Sequence, residues 1–302
     1  RFLDNSNGGI LSPSAINTWL NCRMKFYYRY INGLKEPGKV TKDIDPAMLG
    51  NILHEIMKNI YQGYKNQFLT AEILNSFISN KKFLFAAINN AINEKFKDGR
   101  NGSISGNELI VRDVLMAYLI KILNVDITIA PVTILNLEDP FSFKLEFNPN
   151  GLKSEITVGG KVDRIDVIKG VTRVVDYKTG TVAEMIKSTD DLFTDDRKKE
   201  ADGWLQTLIY CEAYLANKPE SVVRPSVYAI RKLTGGFKSD RLRMRPDNSD
   251  IMVDDYKMIR EGFLNGLKGI INTIFSKEEP FVMTKDIRTK CTYCPYKTLC
   301  MR

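Results

Sequence analysis

The chain has 302 residues, enough to bury a substantial core as one large domain or as a domain with an inserted lobe. Hydrophobic residues make up 43% and charged residues 26%, as is typical of a soluble globular protein, and the net charge of +8 permits a polyanionic partner. No apolar run approaches the length of a membrane span and no signal peptide is recognisable, so we expect a cytoplasmic protein without a membrane partner.

Helical and strand patterns alternate along the chain in an order that predicts the fold class. The first helix is predicted to begin at Ser12-Pro13, with serine as N-cap and proline at the first helical position. The predicted helices are 13–31, 46–64, 70–97, 106–124, 201–216 and 251–275. Between residues 132 and 177 the apolar period shifts to two, and a further strand is predicted over 221–231. We therefore expect a mixed α/β sheet flanked by helices, in one domain (1–302) with a helical insertion at 64–124.

The segment 159–180, GGKVDRIDVIKGVTRVVDYKTG, is typical of a β-hairpin. Residues 162–168 and 171–177 are rich in β-branched side chains, and the Lys-Gly pair between them fits a two-residue turn. If the residues flanking that turn pair with each other, the register places Asp163 directly opposite Asp176. Directly opposite side chains point to the same face and lie close together.

Two facing aspartates repel each other, and a divalent cation is the expected compensation. Lys178 lies two residues beyond Asp176, so the strand period places its side chain on the same face as both carboxylates. Carboxylates hold a hard cation through oxygen, and an ammonium group can assist the attacking water or the phosphate. The pattern predicts a metal-dependent phosphodiesterase. The alternative is a solvated hairpin face, which the apolar character of the strands disfavours.

Three further residues on predicted helices are candidate site residues. His54 is the only histidine. A single helical histidine is more often a packed or surface residue than a ligand, but the aspartate pair makes it a candidate. Gln206 and Tyr210 are four residues apart and share a helix face. Their amide and phenol groups could reach the phosphate backbone or hold Lys178.

Four of the five cysteines have the spacing of a metal site, namely Cys22, Cys291, Cys294 and Cys300. Three lie within ten residues, and Cys22 on the first helix could supply the fourth ligand. Without a secretory signal disulfides are not expected, which leaves zinc or an iron–sulfur cluster. Either would join residue 22 to the segment 285–302 as a metal staple between the chain's ends. Cys211 follows Tyr210 on an apolar helix and is expected to be a buried thiol.

Basic residues cluster in the segment 231–245, where two glycines indicate a loop between strands. A charge run is usually a solvated face. Close to an anionic substrate, however, such residues become candidate phosphate contacts. The candidates are Arg231, Lys232, Lys238, Arg241 and Arg243.

Six motifs together resemble the RecB-type branch of the PD-(D/E)xK nucleases, most closely the C-terminal nuclease domain of AddB-like helicase–nuclease subunits. They are, in chain order, SPSAINTWLNCRMKFYYRY, GNILHEI, GGKVDRID, VVDYKTG, QTLIY and CTYCPYKTLC. Each motif is weak alone, but all six in the family's order are specific. The resemblance covers most of the chain apart from the segment 64–124. One departure is Cys22-Arg23, where relatives often have Cys-Pro, which affects the helix more than the ligand.

The resemblance implies a Mg²⁺- or Mn²⁺-dependent deoxyribonuclease, most often an exonuclease, that acts on single-stranded DNA or duplex ends in double-strand-break repair with a partner subunit. Asp163, Asp176, His54 and the backbone carbonyl of Tyr177 would hold the metal, and Lys178 would orient or activate the water. The resemblance also implies a [4Fe–4S] cluster rather than zinc, which the cysteine spacing alone leaves open.

Two alternatives to this interpretation of the motifs stay open. A CRISPR-associated iron–sulfur single-strand exonuclease is disfavoured because the helical insertion makes this chain long. A non-catalytic DNA-binding module is disfavoured by the intact Asp163, Asp176 and Lys178. The chain has no phosphate-binding loop signature and so no ATPase motor of its own. AddB-like proteins are helicase-like upstream, which fits the expectation that a chain starting at Arg1 is a piece of a longer protein.

Overall fold

The computed structural model describes residues 9–35, 44–96, 106–233, 240–246 and 249–302. The strands are β1 (Ile10–Leu11), β2 (Phe68–Leu69), β3 (Val132–Phe147), β4 (Ser154–Ile168), β5 (Val171–Lys178), β6 (Val223–Ala229), β7 (Arg243–Met244) and β8 (Ile251–Met252). The helices are α1 (Pro13–Asn21), α2 (Arg23–Phe26), α3 (Pro46–Tyr61), α4 (Ala71–Ser79), α5 (Lys81–Lys95), α6 (Asn107–Ile129), α7 (Asp202–Asn217), α8 (Arg260–Phe275) and α9 (Ile287–Lys290).

A mixed sheet with the strand order β2-β3-β4-β5-β6 lies at the centre of the fold, and β1 adds to it beside β4. The pairs β3–β4 and β4–β5 are antiparallel, whereas β5–β6 and β1–β4 are parallel. The helices lie on both faces of the sheet, so the predicted mixed α/β sheet flanked by helices is confirmed.

The hairpin of β4 and β5 has the predicted register. Ile168 pairs with Val171 at the turn, and Arg164 pairs with Val175 at the far end of the ladder. The two turn residues, Lys169 and Gly170, have φ values of 50° and 82°, and positive φ at both positions matches the twist of the flanking strands. The next position along this register places Asp163 opposite Asp176.

Two hydrophobic cores lie on opposite faces of the sheet, because successive strand residues point to opposite faces. On one face Ile165 and Val174 share a core with α7 and α8. On the other face Val175 and Tyr177 share a core with α3, α4, α5 and α6. We call the first the α7 face and the second the α3 face. Assignment of the segment 64–124 as an insertion stays a prediction. No helix among the described residues has the length and apolarity needed to span a bilayer.

Four predicted helices differ from the observed ones, and one of them, predicted over 106–124, continues as α6 to Ile129. The first ends at Asn21, since Cys22 is extended with φ −166° and ψ 109°, and α2 then continues into a π-helical turn. The predicted helix 70–97 divides at Asn80, whose side chain accepts a hydrogen bond of 3.0 Å from the backbone N–H of Phe83 and so caps α5. The last long helix begins at Arg260 rather than at residue 251, because residues 251–252 pair with β7. Most of the loop DGRNGSISGN lies outside the described residues.

Candidate active site

Three elements meet around Asp163, which lies on β4 and is buried. Its Oδ2 accepts a hydrogen bond of 2.9 Å from the backbone N–H of Tyr177 on β5, and its Oδ1 lies 3.2 Å from Nδ1 of His54 on α3. Nε2 of the same imidazole lies 3.0 Å from the carbonyl oxygen of Tyr177. The structure therefore brings together three of the four groups expected to hold a metal, and the fourth, Asp176, precedes Tyr177 on the same strand.

Lys178 is fixed at the end of β5 by two acceptors. Its Nζ donates to Oδ1 of Asp176 at 2.8 Å and to Oε1 of Gln206 at 3.0 Å. Tyr210 lies one turn after Gln206 on the same face of α7, and its hydroxyl lies beside Gly160 of β4. The two helix residues thus hold the lysine and brace the strand that carries the first aspartate.

Glu138 belongs to the same site, although the sequence patterns did not single it out. Its Oε1 lies 3.4 Å from Nδ1 of His54, and ligand atoms of Glu138, His54 and Asp163 all lie within 4.8 Å of one another. Glu138 is on β3, with a φ of 52° beyond a bulge at residues 134–136. The sequence contained one usable signal, because Glu138-Asp139-Pro140 interrupts the alternation of the strand with two acids.

The two facing aspartates have different electrostatic environments. Burial raises the pKa of Asp176 to about 6 against the opposing effect of the Lys178 ammonium, and Asp163 adds to the rise. Burial acts on Asp163 in the same direction, but His54, Lys178 and the Tyr177 N–H outweigh it and bring its pKa below the ordinary value. Burial alone would lower the pKa of His54, and Asp163 and Glu138 raise it well above its ordinary value. The site thus favours the ionised form of one aspartate and disfavours that of the other.

Two buried carboxylate oxygens face this site without a donor. Among the described residues, neither Oδ2 of Asp176 nor Oε1 of Glu138 accepts a hydrogen bond. A buried acceptor left unpaired costs about 1–3 kcal/mol, so these oxygens destabilise the fold unless another group compensates them. Carboxylate oxygens, a carbonyl and an imidazole form a donor set that suits a divalent cation such as Mg²⁺ or Mn²⁺. The residues present therefore fit a cation at this position.

The four predicted cysteine ligands line one small cavity. Cys22 lies at the break between α1 and α2, and the other three lie in the last twelve residues. Burial and then the neighbouring Cys22, Cys294 and Cys291 raise the pKa of Cys300. Backbone contacts join the same two segments, since Met24 N–H donates to the carbonyl of Val282 at 3.0 Å. As expected, Cys211 is a buried thiol on α7.

The predicted phosphate contacts begin just beyond the end of β6. The last residue of that strand, Ala229, pairs with Lys178, so Arg231 and Lys232 follow the edge of the sheet that carries the candidate active site. Three of the predicted residues form ion pairs, namely Lys232 with Glu184 at 2.7 Å, Arg241 with Asp254 at 2.8 Å and Arg243 with Asp250 at 3.3 Å. Lys238 lies outside the described residues. The assignment of these residues to DNA binding stays a prediction.

Comparison with known proteins agrees with this geometry. The family model described as the PD-(D/E)XK nuclease superfamily matches residues 10–301. The chain is similar to an ATP-dependent helicase/deoxyribonuclease subunit of Carboxydothermus hydrogenoformans, with 28% identity over 57% of this chain and 16% of that protein. An uncharacterised protein of Rickettsia typhi is 24% identical over 60% of this chain and 19% of its own length. One of Rickettsia conorii is 22% identical over 57% of this chain and 19% of its own length.

These matches cover less than a fifth of the length of each of these curated relatives. The family match, by contrast, extends over nearly the whole chain and includes both the hairpin and the cysteine segments. The chain belongs to the PD-(D/E)XK nuclease superfamily and has an AddB-like relationship to a helicase/deoxyribonuclease subunit.

Proposed function

We propose that the chain is a Mg²⁺- or Mn²⁺-dependent deoxyribonuclease domain. The observation that carries the proposal is the convergence of Glu138 and Asp163 on His54, with ligand atoms of all three within 4.8 Å of one another. Buried oxygens of Glu138 and Asp176 also have no donor among the described residues. The bound cation would act as a Lewis acid toward the phosphodiester. Asp163, Asp176, His54, Glu138 and the Tyr177 carbonyl would hold it.

The residues around the cation site have separate roles in this proposal. Lys178 presents an ammonium group to the phosphate and the attacking water, in a position that Asp176 and Gln206 fix. Tyr210, one turn later on the same face of α7, packs between Gln206 and Gly160 of β4 in this proposal. The positive charge of the lysine, held without reorganisation, offsets charge that develops on the phosphate.

DNA is the proposed substrate, and a helicase–nuclease acting in double-strand-break repair is the proposed setting. The net charge of +8 suits a polyanion. The similarity to a helicase/deoxyribonuclease subunit supports a partner subunit and a longer parent protein. A DNA-binding module without catalysis accounts poorly for a lysine held between Asp176 and Gln206 beside a cation site.

A cleavage assay with linear and circular single-stranded and duplex DNA tests the proposal. We expect cleavage with Mn²⁺ or Mg²⁺, none with EDTA, and none for Lys178→Ala under either condition. Preference for linear over circular DNA would identify an exonuclease. A folded wild-type chain that binds DNA but leaves all four substrates intact at saturating Mn²⁺ would favour the binding module.

His54 needs a separate test, because its contact with the Tyr177 carbonyl could also stabilise the fold. His54→Ala should raise the Mn²⁺ concentration needed for half-maximal cleavage more than it lowers the melting temperature. A large loss of stability with normal cleavage would make His54 a structural residue.

We further propose that Cys22, Cys291, Cys294 and Cys300 hold a [4Fe–4S] cluster. The four cysteines line one small cavity, which supports a single metal group shared by all four. The similarity of the cysteine motifs to iron–sulfur nuclease domains favours a cluster over zinc.

Metal analysis distinguishes the cluster from zinc. Protein purified without oxygen should be brown and contain about four irons per chain with little zinc. Cys22→Ser should destabilise the domain and expose both ends to protease, because the cluster would join them, and Cys211→Ser serves as the matched control. Stoichiometric zinc would refute the cluster but would still support a metal that joins residue 22 to the segment 285–302. Folded anaerobic protein without iron or zinc would refute both proposals.

A further inference from the structure

Lys161 lies on the rim of the candidate active site and has no role in the proposal above. It precedes Asp163 by two residues on β4 and reaches Glu138, which in turn lies beside His54 of the site. Its side chain is 57% exposed, and its Nζ lies 2.8 Å from Oε2 of Glu138. Glu138, a candidate cation ligand, therefore holds an accessible ammonium group at the edge of the site.

Glu138 connects this ammonium group to the interior of the site. One carboxylate oxygen contacts Lys161 at the surface, while the other is buried beside His54 and has no hydrogen-bond donor among the described residues. The Glu138 carboxylate thus lies between the candidate cation position and Lys161 and sets the distance between them. Glu138 is itself only 14% exposed, so its orientation is set by the protein rather than by solvent.

We propose that Lys161 binds the DNA phosphate adjacent to the scissile one, and that Glu138 is the positioning residue for it. This inference rests on the proposed nuclease function and assigns it a second phosphate subsite. Lys178 is committed to Asp176 and Gln206, whereas the ammonium of Lys161 is open to a ligand on one side.

A purely structural role for Lys161 predicts a different outcome. If the lysine only held Glu138 in place, its removal would loosen the cation ligands and weaken Mn²⁺ binding. If it binds a phosphate, its removal should leave Mn²⁺ affinity unchanged or slightly tighter, because a positive charge near the cation is lost. The two roles therefore differ in the sign of the effect on metal affinity.

The test compares Lys161→Ala and Lys161→Arg with Lys144→Ala. Lys144 is the matched control, a 69% exposed lysine of the same sheet that contacts Glu155 at 2.7 Å. With a single-stranded oligonucleotide at saturating Mn²⁺, Lys161→Ala should raise KM roughly fivefold and leave kcat within about twofold. The slope of log(kcat/KM) against log[NaCl] should become shallower by about 0.7, the value for one phosphate contact to a single strand. Lys161→Arg should restore most of the affinity, and Lys144→Ala should match the wild type.

Equilibrium binding by fluorescence anisotropy in EDTA separates this inference from the nuclease proposal. If the wild type binds DNA in EDTA but does not cleave it at saturating Mn²⁺, the nuclease function fails, and the difference in the salt slope of binding between the wild type and Lys161→Ala still tests the subsite. An unchanged KM and salt slope in Lys161→Ala, or a weakened Mn²⁺ affinity with normal KM, would overturn the role of Lys161.

Discussion

The two faces of the β4–β5 hairpin carry the same kinds of side chain and use them in opposite ways. The α7 face carries Asp163, Asp176 and Lys178, and a buried oxygen of Asp176 has no donor among the described residues. The α3 face carries Arg164, Asp166 and Arg173, and each of these three is at most 1% exposed. The hairpin therefore places a carboxylate with an unpaired buried oxygen back to back with one, Asp166, whose two oxygens both accept hydrogen bonds from arginines.

The paired set on the α3 face is a buried ionic network. Asp166 accepts from Nε of Arg164 at 2.6 Å and from Nε and NH2 of Arg173, both at 2.8 Å. Arg164 also donates to Asp126 of α6 at 2.7 Å, and Arg173 to Asp240 at 2.8 Å. Burial would raise the pKa of Asp166, but the two guanidinium groups lower it.

The comparison shows that a buried carboxylate can stabilise the fold on one face and form part of a candidate cation site on the other. The carboxylate of Asp166 has its acceptors filled by fixed cations, so no further ligand is needed there. In Asp176, Oδ1 accepts a hydrogen bond from Lys178, whereas the buried Oδ2 has no donor among the described residues. A cation from solution can therefore bind to Oδ2 and compensate its burial. Removing a charge should therefore have opposite effects on stability at the two positions.

The largest expected effect is the loss of activity in Asp176→Asn. We expect cleavage to fall by about 10³-fold or more, since a cation ligand and the anchor of Lys178 are both altered. At pH 8 the metal-free melting temperature should nevertheless rise, because a buried carboxylate with a raised pKa of about 6 destabilises the fold when ionised. Activity assays and calorimetry of the metal-free protein measure both effects. A lower melting temperature at pH 8 would contradict the contrast between the faces.

The next effect concerns Asp166→Asn, which breaks the network on the α3 face. It leaves two buried guanidinium groups incompletely compensated and should lower the free energy of unfolding by about 3–5 kcal/mol, as measured by urea denaturation. Asp250→Asn is the matched control, because Asp250 pairs with Arg245 at 2.6 Å on the surface, where solvent screens the pair, and its loss should change the free energy of unfolding far less. If both variants lost the same free energy of unfolding, the buried network would contribute no more to stability than a surface ion pair.

Mn²⁺ should stabilise the wild type through the candidate active site and not through the ionic network. At a concentration of 100 times the Kd, mass action adds about 2.7 kcal/mol to the free energy of unfolding. Asp176→Asn should lose most of this increment. Thermal unfolding at increasing Mn²⁺ provides the measurement, and an Asp176→Asn protein that gains as much as the wild type would place the cation elsewhere.

The smallest expected effect is that of Tyr228→Phe. The Tyr228 hydroxyl lies 3.0 Å from Oδ1 of Asp126 and 3.3 Å from NH1 of Arg173. Its removal should cost about 1 kcal/mol of unfolding free energy, with cleavage and the response to Mn²⁺ unchanged. A loss of cleavage without a loss of stability would show that the network acts on the chemistry directly.

The parts of the fold that local rules govern could be predicted from the sequence. The Lys169-Gly170 turn fixes the hairpin register, and the register fixes the face of Asp163 and Asp176. Glu138 escaped prediction because its place in the site depends on a strand bulge and a positive φ, which the alternation pattern does not encode. The break at Cys22 was not predicted either. The sequence 13–31 has helical propensity throughout, but the backbone of Cys22 is extended and divides it into two helices.

The network on the α3 face was also missed, although its central residues lie within the hairpin motif. The pattern DRID places Arg164 and Asp166 on the face opposite Asp163, but their charge partners are far away in sequence. Asp126 lies 38 residues before Arg164, and Asp240 lies 67 residues after Arg173. Pairing across such separations depends on tertiary structure, which single-sequence periodicity does not reveal.

The position of Asp126 limits how freely this domain can be cut and rejoined. The predicted insertion ends at residue 124, two positions before this aspartate, within the continuous helix α6. A shortened chain that omits residues 64–124 would keep Asp126 but lose most of the helix that positions it. This aspartate accepts hydrogen bonds from Arg164 and from the hydroxyls of Tyr61 and Tyr228. A segment that looks modular in the sequence therefore positions a charge that the sheet needs, and a functional deletion would have to hold Asp126 at the same point.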